Sequence, residues 1–298
     1  MRKKMQTETT KLINDYLDYL LIERALSKTT RVNYLRDLRA FFAFSPEKEL
    51  SLFTKDDIMN FIKDESGQGK NSRTINRHLS TIKGFFNYLK KERIIKEMNL
   101  KIDALKTEKR LPQYLAVEDI ELLLNFPVSE DSFNDVRTRA MFEVMYATGV
   151  RVSELLNLKS SDINFISDYL SIIGKGNKER LLPLGSYAKE ALMTYLELRN
   201  NQHPFPKVPT VFISRIGAPL TRQYFFKTIK TIAKNVGITA HISPHSLRHA
   251  FATHLLEGGA SLKVVQELMG HQSIGTTQIY LSVNSKRILA IYDRTMKR

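Results

Sequence analysis

Ser243-Pro244-His245-Ser246-Leu247-Arg248-His249, followed by Gly270-His271 and then Tyr280, is the stretch on which the reading of this 298-residue chain turns. Ser243 is an N-cap by type, Pro244 suits a first helical position, and His245 and Arg248 then fall at i and i+3 on one face. Gly258-Gly259 ends that helix, and Ser261 caps a second one that stops at Gly270. His271 therefore follows a helix break, and Tyr280 comes after Thr276-Thr277-Gln278-Ile279, which reads as another helical turn. Upstream, Arg151 stands two residues past Gly149, a glycine placed to end an apolar helix. Lys175 lies in Gly174-Lys175-Gly176-Asn177-Lys178-Glu179-Arg180, between the apolar runs 169–173 and 181–184, a strand, tight turn, strand pattern.

Taken in order, these residues spell Arg, Lys, His-x-x-Arg, His, Tyr. The pattern closely resembles the tyrosine site-specific recombinases of the phage-integrase family, and among them the Xer type. All six positions match in the family's order, and the resemblance spans almost the whole chain. Two flanking stretches depart from the family's common form. Ser273-Ile274-Gly275 stands where many relatives carry a leucine-serine pair, and Leu281-Ser282 where Thr-His is common.

The composition is that of a soluble globular protein with an unusual basic excess. Hydrophobic residues make up 42% and charged residues 26%, ordinary values for a globular chain, but the net charge is +15. Such an excess favours a polyanionic partner, nucleic acid or an anionic membrane face. There is no cysteine, hence no disulfide and no thiolate metal site. The basic start Met1-Arg2-Lys3-Lys4 runs into a polar stretch where a signal peptide needs an apolar core, and no run of 18 apolar residues exists. The expected location is cytoplasmic, with no membrane partner.

Residues 1–105 read as helices alone. Leu12, Ile13, Tyr16, Leu17, Leu20 and Leu21 follow the 3.6-residue period. Ser27 is placed to cap a second helix, Thr54 with Asp57 forms a capping-box pattern, and Ser72 precedes a fourth helix carrying Ile75, Leu79, Ile82, Phe85, Phe86 and Leu89. These predict a four-helix bundle. Residues 1–110 hold 24 Lys+Arg against 15 Asp+Glu, a net of +9, which leaves +6 for the rest. Arg73, Arg77 and Lys83 on the fourth helix and Arg31 on the second lie off the apolar stripes, and are the candidate DNA contacts. Residues 106–113 lose periodicity, are basic and include Pro112, which marks a linker. From 114 to 298 the pattern is mixed: helices over 117–124 and 138–147, a small antiparallel sheet within 163–184, a short strand at Val211-Phe212-Ile213, and a final helix over 286–297.

The resemblance implies the fold and the partners. The chain is expected to be multidomain and mainly α, with an N-terminal SAM-like core-binding domain (1–105), a linker (106–113) and an α+β catalytic domain (114–298). The family closes on DNA as a C-shaped clamp and exchanges its C-terminal helix between protomers. It acts as a tetramer on double-stranded DNA, here a homotetramer or a heterotetramer with a paired Xer recombinase. A DNA translocase of the FtsK type is the implied activator, and resolution of chromosome or plasmid dimers the implied task.

The chemistry suits the residue types. Cutting a phosphodiester without metal or ATP needs a nucleophile, neutralisation of the non-bridging oxygens, and a proton for the leaving 5′ oxygen. Tyr280 is the expected nucleophile, and an ordinary phenol needs cationic surroundings or a base to act as one. Arg151 and Arg248 suit the phosphate because guanidinium stays charged and presents a fork of donors. Lys175 is placed to protonate the leaving oxygen, His271 to donate to a non-bridging oxygen, and His245 to relay the tyrosyl proton. Glu154, three residues past Arg151, is placed to orient it. No cofactor is implied.

Competing readings are less well supported. His245 and His249 have i,i+4 spacing for zinc, but the metalloprotease glutamate is missing and Arg248 would sit beside the ion. Gly174-Lys175-Gly176 lacks the spacing of a P-loop. A silent DNA-binding architectural protein would not need all six residues. A mobile-element integrase shares the chemistry but often adds an arm-binding domain, and a type IB topoisomerase matches the motifs less tightly.

Overall fold

A computed structural model of the chain describes residues 2–23, 28–95, 100–106, 115–174, 179–202 and 208–270. The chain divides into two compact units, Met1–Leu111 and Pro112–Arg298. Ser27, the linker's central residues and the 286–297 helix expected from the sequence fall outside the described residues.

The first unit is the expected helical bundle: α1 (Arg2–Glu23), α2 (Lys28–Phe44), α3 (Lys55–Gly67) and α4 (Ser72–Lys91). Helix α4 is its axis and touches each of the other three. Its apolar positions recur every three or four residues, so Ile75, Leu79, Ile82, Phe86 and Leu89 form one buried stripe. Phe41 of α2 packs edge-on against Phe61 and Phe86, the ring geometry that aromatic quadrupoles favour. Asp57 closes the start of α3 by accepting from the Thr54 amide (2.6 Å) and hydroxyl (2.8 Å). Ser72 is not the cap of α4. Asn71 is, its Oδ1 accepting from the Arg73 amide at 2.8 Å, and Ser72 becomes the first helical residue. Asparagine caps as well as serine does, so the pair Asn71-Ser72 left the boundary ambiguous by one residue.

The second unit is built on α6 (Phe133–Thr148), which is buried on nearly every side. It packs on α8 (Ser186–Gln202) and α10 (Pro244–Glu257). Around it lie α5 (Val117–Leu124), α7 (Val152–Leu156), α9 (Arg222–Asn235) and α11 (Leu262–Met269). The predicted sheet is present as β1 (Ile163–Asn164), β2 (Tyr169–Ile173) and β3 (Glu179–Pro183), antiparallel in that order. The register pairs Leu170 with Leu182 and Ile172 with Arg180. Alternation along the strands sends those four positions to the core side.

Val211-Phe212-Ile213 is fully buried but forms no strand, contrary to the expectation. Its backbone groups find other partners. The Val211 amide donates to the Leu158 carbonyl (2.7 Å), while the Tyr195 hydroxyl donates to the Val211 carbonyl (3.1 Å) and accepts from the Ile213 amide (3.2 Å). Only isolated bridges, Lys159 to Thr210 and Ile213 to Pro219, flank it among the described residues. An apolar run tells of burial, and a tyrosine hydroxyl has here replaced the neighbouring strand.

His254 ties α10 to α6 and to the start of this unit. Its Nε2 lies 3.1 Å from the Leu115 carbonyl, which can only accept, so Nε2 carries the proton. Nδ1 then accepts from the Tyr146 hydroxyl at 2.8 Å. Burial pushes the His254 imidazole below its ordinary value, against the opposing pull of the Leu115 bond. The unfolded chain therefore binds the proton more readily, so this contribution is complete above the ordinary histidine range and is lost as pH falls through it. Melting temperature is expected to drop between about pH 7.5 and 5.5. The drop should be shallower in His254→Gln, and an unchanged slope in that variant would refute this role.

Candidate active site

The site is assembled where two helices meet. Helix α6 stops at Gly149, whose φ of 60° is the left-handed C-cap conformation. A side chain is excluded there twice over: the backbone angle strains any other residue, and a Cβ would overlap the Phe251 ring of α10. The chain then passes through buried Val150 to Arg151, which caps α7 in extended conformation. Glu154, at the third position of α7, reaches back. Its Oε2 accepts from the Arg151 amide at 2.8 Å and its Oε1 from Arg151 Nη1 at 2.9 Å.

Helix α10 begins as the sequence predicts. Ser243 Oγ accepts from the Ser246 amide (3.1 Å), Ser246 Oγ accepts from the Ser243 amide (2.7 Å), and Pro244 takes the first turn. His245 is exposed on that turn, whereas Arg248, one turn on, is buried. Arg248 Nη1 donates to the Gly149 carbonyl and Nη2 to the Met269 carbonyl at the end of α11. Its Nη1 also lies 4.0 Å from Glu154 Oε2. Helix α11 itself is capped by Ser261 and ends at Gly270 with φ 65°, as the sequence predicts.

A third guanidinium completes the cluster. Arg180 of β3 donates from Nη2 to Glu154 Oε2 (2.6 Å), from Nη1 to Glu154 Oε1 (3.1 Å), and from Nε to the Leu268 carbonyl (3.1 Å). Sequence reasoning passed over Arg180. The signal was available: period-2 alternation puts it on the same face as Leu182, and a charge on a buried face requires a partner.

The electrostatics are those of an anion site. Three arginines surround one carboxylate. Burial alone would raise the Glu154 carboxyl, but hydrogen bonds from Arg180 and the Arg151 amide hold it below the ordinary range. Burial, then the charge of Arg151, pushes Arg248 down to about 10, so it remains charged at neutral pH. Arg151 is the open member, with 42% of its side chain exposed against 5% for Arg248. The structure thus brings Arg151 and Arg248 together. Lys175, His271 and Tyr280 lie outside the described residues. Among the described residues, no cluster of three or more His, Asp or Glu side chains is set to hold a metal.

The chain's sequence matches the phage integrase family over residues 113–287 and that family's N-terminal SAM-like domain over residues 13–93. This chain is a tyrosine recombinase of the phage integrase family. It is 39% identical over 288 residues to the tyrosine recombinase XerD of Halalkalibacterium halodurans, covering 94% of this chain and 95% of that one. It is 41% identical over 292 residues to XerD of Listeria monocytogenes, covering 95% and 97%. Its fold resembles that of the XerH site-specific recombinase bound to palindromic difH substrate, with a TM-score of 0.68 and 24% identity over 91% of this chain and 81% of the other.

In the recombinase's first unit, the candidate DNA contacts differ in availability. Arg77 is paired with buried Asp37 (2.6 Å to Oδ1), and Lys83 donates to the Ile102 carbonyl. Both ends are committed within the bundle. Arg31 pairs at 3.1 Å with Asp18, itself 56% exposed, a surface pair that contributes little to stability. Arg73 is exposed. Helical periodicity identified the basic faces but not which residues turn back to satisfy a buried carboxylate or a backbone carbonyl.

Gly149→Ala is expected to cost on the order of 3 kcal/mol in denaturant unfolding, from left-handed strain plus overlap with Phe251. An unchanged unfolding midpoint would contradict the close packing of Gly149 against Phe251 of α10.

Proposed function

We propose that this recombinase cuts and rejoins DNA by transesterification through a 3′-phosphotyrosyl intermediate. The observation that supports it most is the arginine cluster on Glu154: two guanidinium groups fixed by backbone carbonyls and one open one, an excess of positive charge suited to an anion. Tyr280 Oη attacks phosphorus and the bond to the 5′ oxygen breaks. The phenolic proton passes to His245, and the leaving oxygen takes a proton from Lys175. Arg151, Arg248 and His271 carry the charge on the non-bridging oxygens. The covalent bond conserves the phosphodiester's energy, so rejoining reverses the same steps with no metal or ATP.

Residues 1–105 serve as the core-binding domain, 106–113 as the linker and 114–298 as the catalytic domain with a protomer-exchange helix at its end. In the first unit, Arg73 and Arg31 are the better placed phosphate contacts, ahead of Arg77 and Lys83. The assembly is a tetramer on two DNA sites that proceeds through a Holliday junction in the cytoplasm. The near full-length similarity to chains named XerD supports dimer resolution at segregation as the task, with a paired Xer protein and an FtsK-type translocase as partners.

Covalent trapping tests the chemistry. Wild type and Tyr280→Phe are incubated with nicked suicide duplexes carrying candidate core sites, in EDTA, and resolved on denaturing gels. A DNA-linked band from wild type alone is expected. A band that survives in Tyr280→Phe assigns the wrong nucleophile, and DNA binding without any band favours an architectural role.

A further inference from the structure

Arg180 occupies an inward position of β3, opposite Ile172 and two residues from Leu182, on a face that is otherwise apolar. A charge so placed costs several kcal/mol unless every donor is engaged. Here three donors are: two fork onto Glu154 and the third holds the Leu268 carbonyl. Gly270, with φ 65°, lies so close that a Cβ there would stand 3.3 Å from Arg180 Nη1. Arg180 therefore joins three elements: the start of α7 beside Arg151, strand β3, which follows Lys175 in sequence, and the end of α11, the helix that precedes His271 in sequence.

The consequence lies in how Glu154 divides its two oxygens. A carboxylate facing a guanidinium prefers the parallel two-bond pair. Arg180 takes that pairing, with side-chain exposure of 7% and no solvent to replace it. Arg151 is left with one guanidinium bond to Glu154, at 2.9 Å. Were Arg180 absent, Glu154 would turn its two-bond face to Arg151 and compete with a phosphate for the same donors.

We propose that Arg180 is a positioning residue for strand cleavage: by occupying Glu154 it keeps Arg151 available to the scissile phosphate. This role rests on the recombinase chemistry proposed above. It differs from a merely structural one in a way that can be measured, because it acts through the negative charge of the phosphate. A substrate without that charge should no longer need it.

Full-length wild type, Arg180→Met and Arg180→Lys are compared on suicide duplexes carrying either an ordinary phosphate or a neutral methylphosphonate at the scissile position. With DNA affinity close to wild type, Arg180→Met should cleave the phosphate on the order of 100-fold more slowly, the usual effect of a small misplacement at a reacting centre. Arg180→Lys, which keeps the charge without the fork, should fall between, and it carries the comparison if Arg180→Met does not fold. On methylphosphonate the deficits should shrink to a few fold. Equal deficits on both substrates, or wild-type rates in both variants, would overturn the proposal. Absence of covalent product from wild type itself would instead strike the recombinase chemistry on which it rests.

Discussion

Glu154 is the one acidic group on which the arginine site depends. It accepts from the Arg151 amide and guanidinium and from both terminal nitrogens of Arg180, and it lies within ion-pair distance of Arg248. Three guanidinium groups around one carboxylate repel one another, and they stay together only because the surrounding backbone also binds them. Arg248 is tied to the carbonyls of Gly149 and Met269, and Arg180 to that of Leu268. Removing the carboxylate would leave buried cations unpaired, which is far more costly than losing an exposed pair.

The fold serves this arrangement through its helix ends. Glycine in the left-handed conformation stops α6 at Gly149 and α11 at Gly270, and each break exposes a carbonyl or a turn that an arginine then binds. Helix α10 delivers Arg248 between the two. The result is a site that holds net positive charge without a compensating second carboxylate among the described ion pairs, and so is prepared for a polyanion. The same economy is absent from the first unit, where Asp37 lies buried and is answered by Arg77 and Thr81 of α4.

Much of this was legible in the sequence, for physical reasons. Caps and breakers are local, so Ser243-Pro244, Ser261 and both terminating glycines could be placed from residue type alone. The two strands on either side of Lys175 likewise read from their apolar runs. What escaped was long-range. Nothing local to Val211-Phe212-Ile213 says that Tyr195 replaces a neighbouring strand. Arg180 drew no notice in the sequence, and only its register against Ile172 places it inside. Arg77 illustrates the converse, a basic residue on a polar helix face whose guanidinium is bound to a carboxylate 40 positions away.

The most direct test of the central claim is the ionisation of Glu154, followed by carbon-13 detection of its side-chain carboxyl in the full chain as pH is lowered. Held by two arginines and approached by a third, it should titrate below the ordinary glutamate range, and its midpoint should rise when Arg180 is replaced by lysine. A midpoint at or above the ordinary range, unmoved by that substitution, would contradict a carboxylate-centred site.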